Sequence, residues 1–220
     1  MRKILSFMTF ILPLVFISCN DDKEEEPEPP MEHKWVDLGL PSGTLWATCN
    51  IGANEPEGYG DYFAWGETEP KDTYEWENYN GPKYSEFSET DNKTELNLKD
   101  DAAYINWGSQ WRMPTDDQFH ELFNSCSWRW TQLNGVKGLQ VKGPNGNSLF
   151  LPAAGIRVDG FHWHADTSGF YRTLTRYPSN FIGDYRPVHL EFASDDWCTC
   201  NNLSYLFYGL TVRPVRVSKD

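Results

Sequence analysis

From Trp35 onward the apolar positions come in short runs, cut by glycine, proline and asparagine, and this is the spacing of strands joined by turns. "WVDLGLPSGTLWATCNIG" gives two strand-like pieces around Pro41-Ser42-Gly43, and "GDYFAWGE" gives a third, aromatic one. Residues 67–95 are polar, acidic and aperiodic, which predicts a long surface excursion. Further on, "WRWT", "GLQVKG" and "SLFLPAAG" return to strand patterning, with hairpin turns at Asn134-Gly135 and Pro144–Asn147. Val188 to Phe192 alternates, as does the closing "LTVRPVRV", where Pro214 predicts an edge position or a bulge.

Helical period shows in two places. "LKDDAAYINWG" predicts a short helix ending near Gly108. "PTDDQFHELFNSC" carries the stronger signal. Thr115 is placed as N-cap with Gln118 as its capping-box partner, and Asp116 and Asp117 suit the first turn. Phe119, Leu122 and Phe123 then make one apolar stripe, and His120 lies off it, facing solvent. The predicted class is α+β with little helix.

The N-terminus changes the setting. Residues 1–18 have the layout of a secretory signal, with Arg2 and Lys3 before an apolar run too short to span a membrane. "FISC" resembles a bacterial lipobox, which makes Cys19 the predicted lipidated residue. Residues 19–33 form an acidic, proline-rich tether that cannot bury an apolar face. Its Asp-Asp-Lys-Glu-Glu run resembles surface-export signals of Bacteroidetes lipoproteins. The expected location is therefore the outer membrane, lipid-anchored and exposed on the cell surface, with a folded domain over 34–217.

Removal of the signal leaves 17 basic against 32 acidic residues, a balance of −15. The acids concentrate in residues 20–101, with 22 acidic and 6 basic residues against 10 and 11 in 102–220. That excludes nucleic acid as a partner, because phosphate needs a basic face. It also directs attention to the neutral second half.

Four cysteines remain in an exported chain, where disulfides form. Their spacing leaves all three pairings of Cys49, Cys126, Cys198 and Cys200 open, a Cys49–Cys126 bridge among them. His162/His164 and Cys198/Cys200 each share the two-residue spacing that puts side chains on one strand face. Zinc sites favour Cys-x2-Cys knuckles, so no metal and no cofactor is expected. The chain has no Gly-x-Ser-x-Gly, His-Glu-x-x-His, phosphate loop or dinucleotide fingerprint, and the reading is non-catalytic.

Several stretches together carry a resemblance. "VDLGLPSGTLWATCNIGA", "YGDYFAWGE", "DDAAYINWGSQWRMPT", "NGNSLFLPAAG" and "GLTVRPVR" resemble the Fibrobacter succinogenes major paralogous domain, over about residues 35–217. The resemblance implies a C-type-lectin-like domain of α+β class, with two short helices, small antiparallel sheets and terminal strands that meet. "WRMPTDDQF" is also similar to a segment of formylglycine-generating enzymes, whose activity needs a reactive cysteine pair late in the chain. Only Cys198 and Cys200 are available for that role, without a matching motif. The calcium motifs of sugar-binding lectins, Glu-Pro-Asn and Trp-Asn-Asp, are absent. "FYRTL" and Leu206–Gly209 depart from the family pattern, so framework matches while loops diverge.

The divergent window, residues 161–208, holds 12 aromatics and 8 charged residues in 48. Rigid aromatic area mixed with Asn, Ser and Arg is the composition of a recognition surface. The expected ligand-binding set is His162, Trp163, His164, Tyr171, Arg172, Thr173, Arg176, Tyr177, Tyr185, Trp197, Asn201, Asn202, Tyr205 and Phe207. The expected partner is a protein or glycan on another cell or a phage, reached by a protein held to the outer membrane through its lipid anchor. The residue mix also fits a target of a diversity-generating retroelement. The alternatives are an enzyme of the formylglycine-generating type, or a structural pilus or surface subunit.

Overall fold

A computed structural model describes residues 33–82, 93–178, 185–194 and 198–216. The signal sequence, Cys19 and the tether up to residue 32 lie outside the described residues.

Fourteen strands are described, in four sheets. The first sheet has the order β1 (Trp35–Asp37), β2 (Leu45–Ala47), β14 (Val215–Arg216), β4 (Trp111–Arg112), so the start and end of the domain pair directly. The second has the order β12 (Cys198–Leu203), β11 (Tyr185–Ala193), β10 (Ser168–Pro178), β13 (Leu210–Thr211), β3 (Tyr62–Phe63). Its β10–β13 pair is parallel and the remainder antiparallel. The third is the meander β5 (Ser127–Leu133), β6 (Val136–Lys142), β7 (Ser148–Pro152). The fourth is the hairpin β8 (Ile156–Val158) and β9 (Phe161–Trp163).

Two α-helices are described, α1 (Ala102–Trp107) and α2 (Asp116–Ser125). Strand makes up 40% of the structure and helix 14%, so the domain is mostly β, built of several small sheets. This overturns the α+β class. The helices are as short as the pattern indicates, and the strands that long-range pairing assembles outweigh them. α1 stops after six residues at Gly108, whose φ of 89° no helix continues through. α2 is followed at once by the strand residues of β5, so neither helix is long enough to form a layer.

The predicted capping box of α2 is present. Gln118 N–H donates to Thr115 Oγ1 at 3.1 Å, and Thr115 N–H donates to Gln118 Oε1 at 2.9 Å. Phe119 and Leu122 are fully buried, whereas Phe123 of the predicted stripe is 41% exposed and packs on Trp128. α1 has an unpredicted cap. The buried Asp101 carboxylate accepts from the N–H groups of Ala103, Tyr104 and, across to β4, Met113, at 2.9 to 3.2 Å. Burial raises its pKa against the pull of those three donors.

The excursion over 67–95 is also corrected. Tyr74 and Tyr79 are buried, and their hydroxyls donate to the carbonyls of Tyr62 and Trp65. The segment is polar in composition yet inserts two rings into the core. At Asn134-Gly135 both φ values are positive, 48° and 88°, as the tight β5–β6 turn requires. Pro214 falls in the gap between β13 and β14, which belong to different sheets. The closing segment is thus two short strands, and between them Arg213 is fully buried, donating to Asn50 Oδ1 and to the carbonyls of Ala47 and Thr48.

Candidate functional site

Four of the expected ligand-binding residues are interior. Tyr171, Arg172, Thr173 and Arg176 lie on β10, which is paired with β11 on one side and β13 on the other, and all four are buried. Being central in a sheet covered on both faces, β10 buries successive side chains instead of alternating them. Each polar head is engaged. Tyr171 hydroxyl donates to Pro152 O at 2.8 Å, and Thr173 hydroxyl donates to Val188 O at 2.7 Å. Arg172 donates to Ser204 Oγ at 2.7 Å and to the Tyr208 carbonyl, while Arg176 donates to the Lys93 carbonyl. These side chains hold loops in place and present nothing to a ligand.

The exposed residues form a different set. On β9, Phe161 and Trp163 are 61% and 50% exposed, two residues apart and therefore on one strand face, with rings 5.4 Å apart. His162 between them points the other way, its Nε2 2.9 Å from Tyr62 Oη and 2.8 Å from Ala154 O. Its ring is tied down although the residue is open to solvent. His164 is exposed in a turn with φ of 61°, where its carbonyl accepts from Thr167 and Ser168.

A second group sits on the segment before β13. Tyr205 is 42% exposed, with Phe207 and Tyr208 half-buried beside it, the rings 5.0 to 5.7 Å apart. Trp76, 45% exposed, meets Phe207 edge-on at 6.2 Å, and the Arg186 guanidinium lies 4.7 Å over the Tyr205 ring. The two groups flank β8. β9 pairs with it along one side, and Gly209 bridges Arg157 on the other with two backbone bonds of 2.9 Å.

The remaining expected residues are elsewhere or not described. Tyr177 is 38% exposed and faces Asp116 of α2. Asn202, on β12, donates to Glu191 Oε2 at 2.5 Å. Trp197 and Cys19 lie outside the described residues, as do the side chains of Tyr185 and Asn201. Phe161, Trp76, Tyr208 and Arg186 were not in the expected set. Phe161 had a signal, for it stands at i−2 from Trp163 on a strand. Trp76 had none, since its contact with Phe207 joins residues far apart in sequence.

Three of the four cysteines are shifted away from activation. All four are free, so none of the three pairings is formed. Burial pushes Cys126 up to about 11 and Cys198 and Cys200 up to about 12, the direction opposite to a nucleophile's. Cys200 packs under α2, with Sγ 3.7 Å from Phe119 O. His162 belongs to the β8–β9 sheet and Cys198 and Cys200 to β12, and among the described residues no group of three or more His, Cys, Asp or Glu is disposed to hold a metal ion.

The chain matches no family model, no curated protein and no solved structure. Among the described residues no helix is long and apolar enough to cross a membrane.

Proposed function

We propose that this is a surface-displayed recognition protein, and that its contact face is built on β9 and residues 205–208, with Trp76 and Arg186 at its margin. One observation carries the reading: large aromatic side chains stand open to solvent on both flanks of β8, Phe161 and Trp163 on one and Tyr205 on the other. Clustered aromatic exposure of this kind is what binding interfaces use, since rigid rings supply contact area at little cost in side-chain entropy. The ligand class is a protein or glycan on another cell or a phage. Lipid at Cys19 and the acidic tether would hold the domain at the outer membrane, facing outward. Catalysis of the formylglycine-generating type is disfavoured, because desolvation pushes both candidate thiols, Cys198 and Cys200, up to about 12, away from the thiolate such chemistry needs.

The retroelement reading narrows accordingly. Randomisation would be tolerated at Phe161, Trp163 and Tyr205, which face solvent, and not along Tyr171–Arg176, whose side chains fill the interior. A template repeat beside a reverse-transcriptase gene would support this, with its adenines falling at the solvent-facing codons. The binding role is tested with the full chain displayed on cells. Trp163→Ala combined with Tyr205→Ala should lower adhesion to target cells by tenfold or more, about 1.4 kcal/mol, with unchanged surface level. Undiminished adhesion would exclude this face.

A further inference from the structure

A cleft of about 320 Å³ opens between the Tyr62–Tyr74 region and β8, and its lining includes Asp61, Tyr62, Lys71, Asp72, Tyr74 and Arg157. We propose that it binds one neutral sugar unit of a glycan. This deepens the recognition role proposed above and rests on it, naming the chemistry of the ligand beside the aromatic face.

The donor and acceptor inventory points to a polyol. Asp61 and Asp72 line the cleft, and among the described residues neither carboxylate is spent on a hydrogen bond or ion pair. Lys71 is already satisfied, by Glu67 at 2.7 Å and the Asn78 carbonyl at 3.1 Å. Arg157 is held by stacking, its guanidinium 4.8 Å over the Tyr62 ring, and it forms no ion pair with either aspartate among the described residues. The open groups are therefore two acceptor-only carboxylates and one donor-only guanidinium, across a gap they do not close themselves. A hydroxyl both donates and accepts, so a ring carrying several hydroxyls can satisfy all three at once. An acidic ligand would meet two carboxylates against one free cation and be repelled.

The walls are also rigid, which keeps the ordering cost of binding low. Arg157 backbone is pinned by its two bonds to Gly209. Tyr74 hydroxyl donates to the Tyr62 carbonyl and accepts from Lys71 N–H at 3.2 Å. Asp159 N–H donates to the Tyr74 carbonyl at 3.1 Å, which fastens the β8–β9 turn to the cleft's far wall. The volume lies at the small end of ligand pockets, which run from about 300 to 1,000 Å³, and suits a single ring with the rest of the chain lying outward. Trp76, two residues beyond Tyr74, carries that outward path toward Phe207 and Tyr205.

The test is a glycan array of neutral, sialylated, sulfated and amine-bearing glycans, probed with the full chain and with Asp61→Ala, Asp72→Ala and Trp163→Ala. Asp72 is exposed, so its variant should keep the parent melting midpoint and remain informative if Asp61→Ala fails to fold. Neutral glycans should bind, and Asp72→Ala should weaken them about tenfold, the worth of a hydrogen bond of 1.4 kcal/mol to a charged acceptor. Preference for sialylated, sulfated or aminated glycans, or neutral binding unmoved by Asp72→Ala, would overturn the proposal. So would the absence of any glycan signal. If adhesion to cells then still depends on Trp163, the recognition role survives and only the sugar assignment falls. If adhesion ignores Trp163 as well, both fall.

Discussion

β10 and the β9/205–208 surface are written in the same letters and used in opposite ways. Tyr171, Arg172, Thr173 and Arg176 are buried, whereas Phe161, Trp163 and Tyr205, drawn from the same aromatic and polar vocabulary, face solvent. The difference is position in the sheets. β10 is the central strand of the five-stranded sheet and is covered on both faces, its successive side chains being buried, while β9 is one half of a two-stranded hairpin with an exposed face. Composition within a window reports that aromatics and arginines are present, and strand order decides which of them a ligand can reach. Arg172 joins the two regions, since its buried guanidinium holds Ser204 and Tyr208, the residues that frame the exposed Tyr205 and the half-buried Phe207.

The sharpest contrast should be between alanine variants. Tyr171→Ala is expected to cost about 3–5 kcal/mol in urea unfolding, as for other large buried aromatics, and Trp163→Ala to stay within about 0.5 kcal/mol. Equal costs would break the distinction. Arg172→Met should follow, at about 1–3 kcal/mol, because the Ser204 hydroxyl and Tyr208 carbonyl lose their buried donor. It should also speed amide exchange over 204–208 and weaken ligand binding, although residue 172 is itself covered.

Acid should test β11 next. His189 is buried beside Phe170, and desolvation lowers its pKa below the usual 6.5. The folded state therefore binds fewer protons than the unfolded chain just below that value. Stability should fall as pH drops from about 6.5 toward the depressed folded pKa, and His189→Gln should flatten this slope. Asp101 and Asp116, whose pKa values burial raises, act with the opposite sign and in the lower, carboxylate range. The smallest expected effect is chemical. At pH 8 Cys198 and Cys200 should react with a disulfide reagent far more slowly than a free thiol does, and at the ordinary rate once the chain is unfolded in urea.

Local features were readable in the chain, and long-range ones were not. The α2 capping box and the Asn134-Gly135 turn each depend on residues within a few positions, and each is where the pattern puts it, whereas Pro214, expected at an edge or bulge of one closing strand, separates two strands of different sheets. The class was misjudged because the short helices are legible locally, while the weight of fourteen described strands comes from pairings between segments far apart in the chain. Tyr74 and Tyr79 were hidden in a polar stretch, for their burial is created by the Tyr62–Trp65 segment that accepts their hydroxyls. Composition singled out Trp163, Tyr205 and Phe207, and it swept in the four residues of β10 with them. No feature of the window itself separates these two groups, since separation depends on β13 and β3 arriving to complete the sheet.

Hydroxyl-radical footprinting of the full chain tests that separation most directly, because it reads the solvent access of each aromatic side chain in one sample. Phe161, Trp163 and Tyr205 should oxidise rapidly in the native protein, and Tyr171 should remain protected until the domain unfolds. Comparable oxidation of Tyr171 and Tyr205 under native conditions would contradict the account.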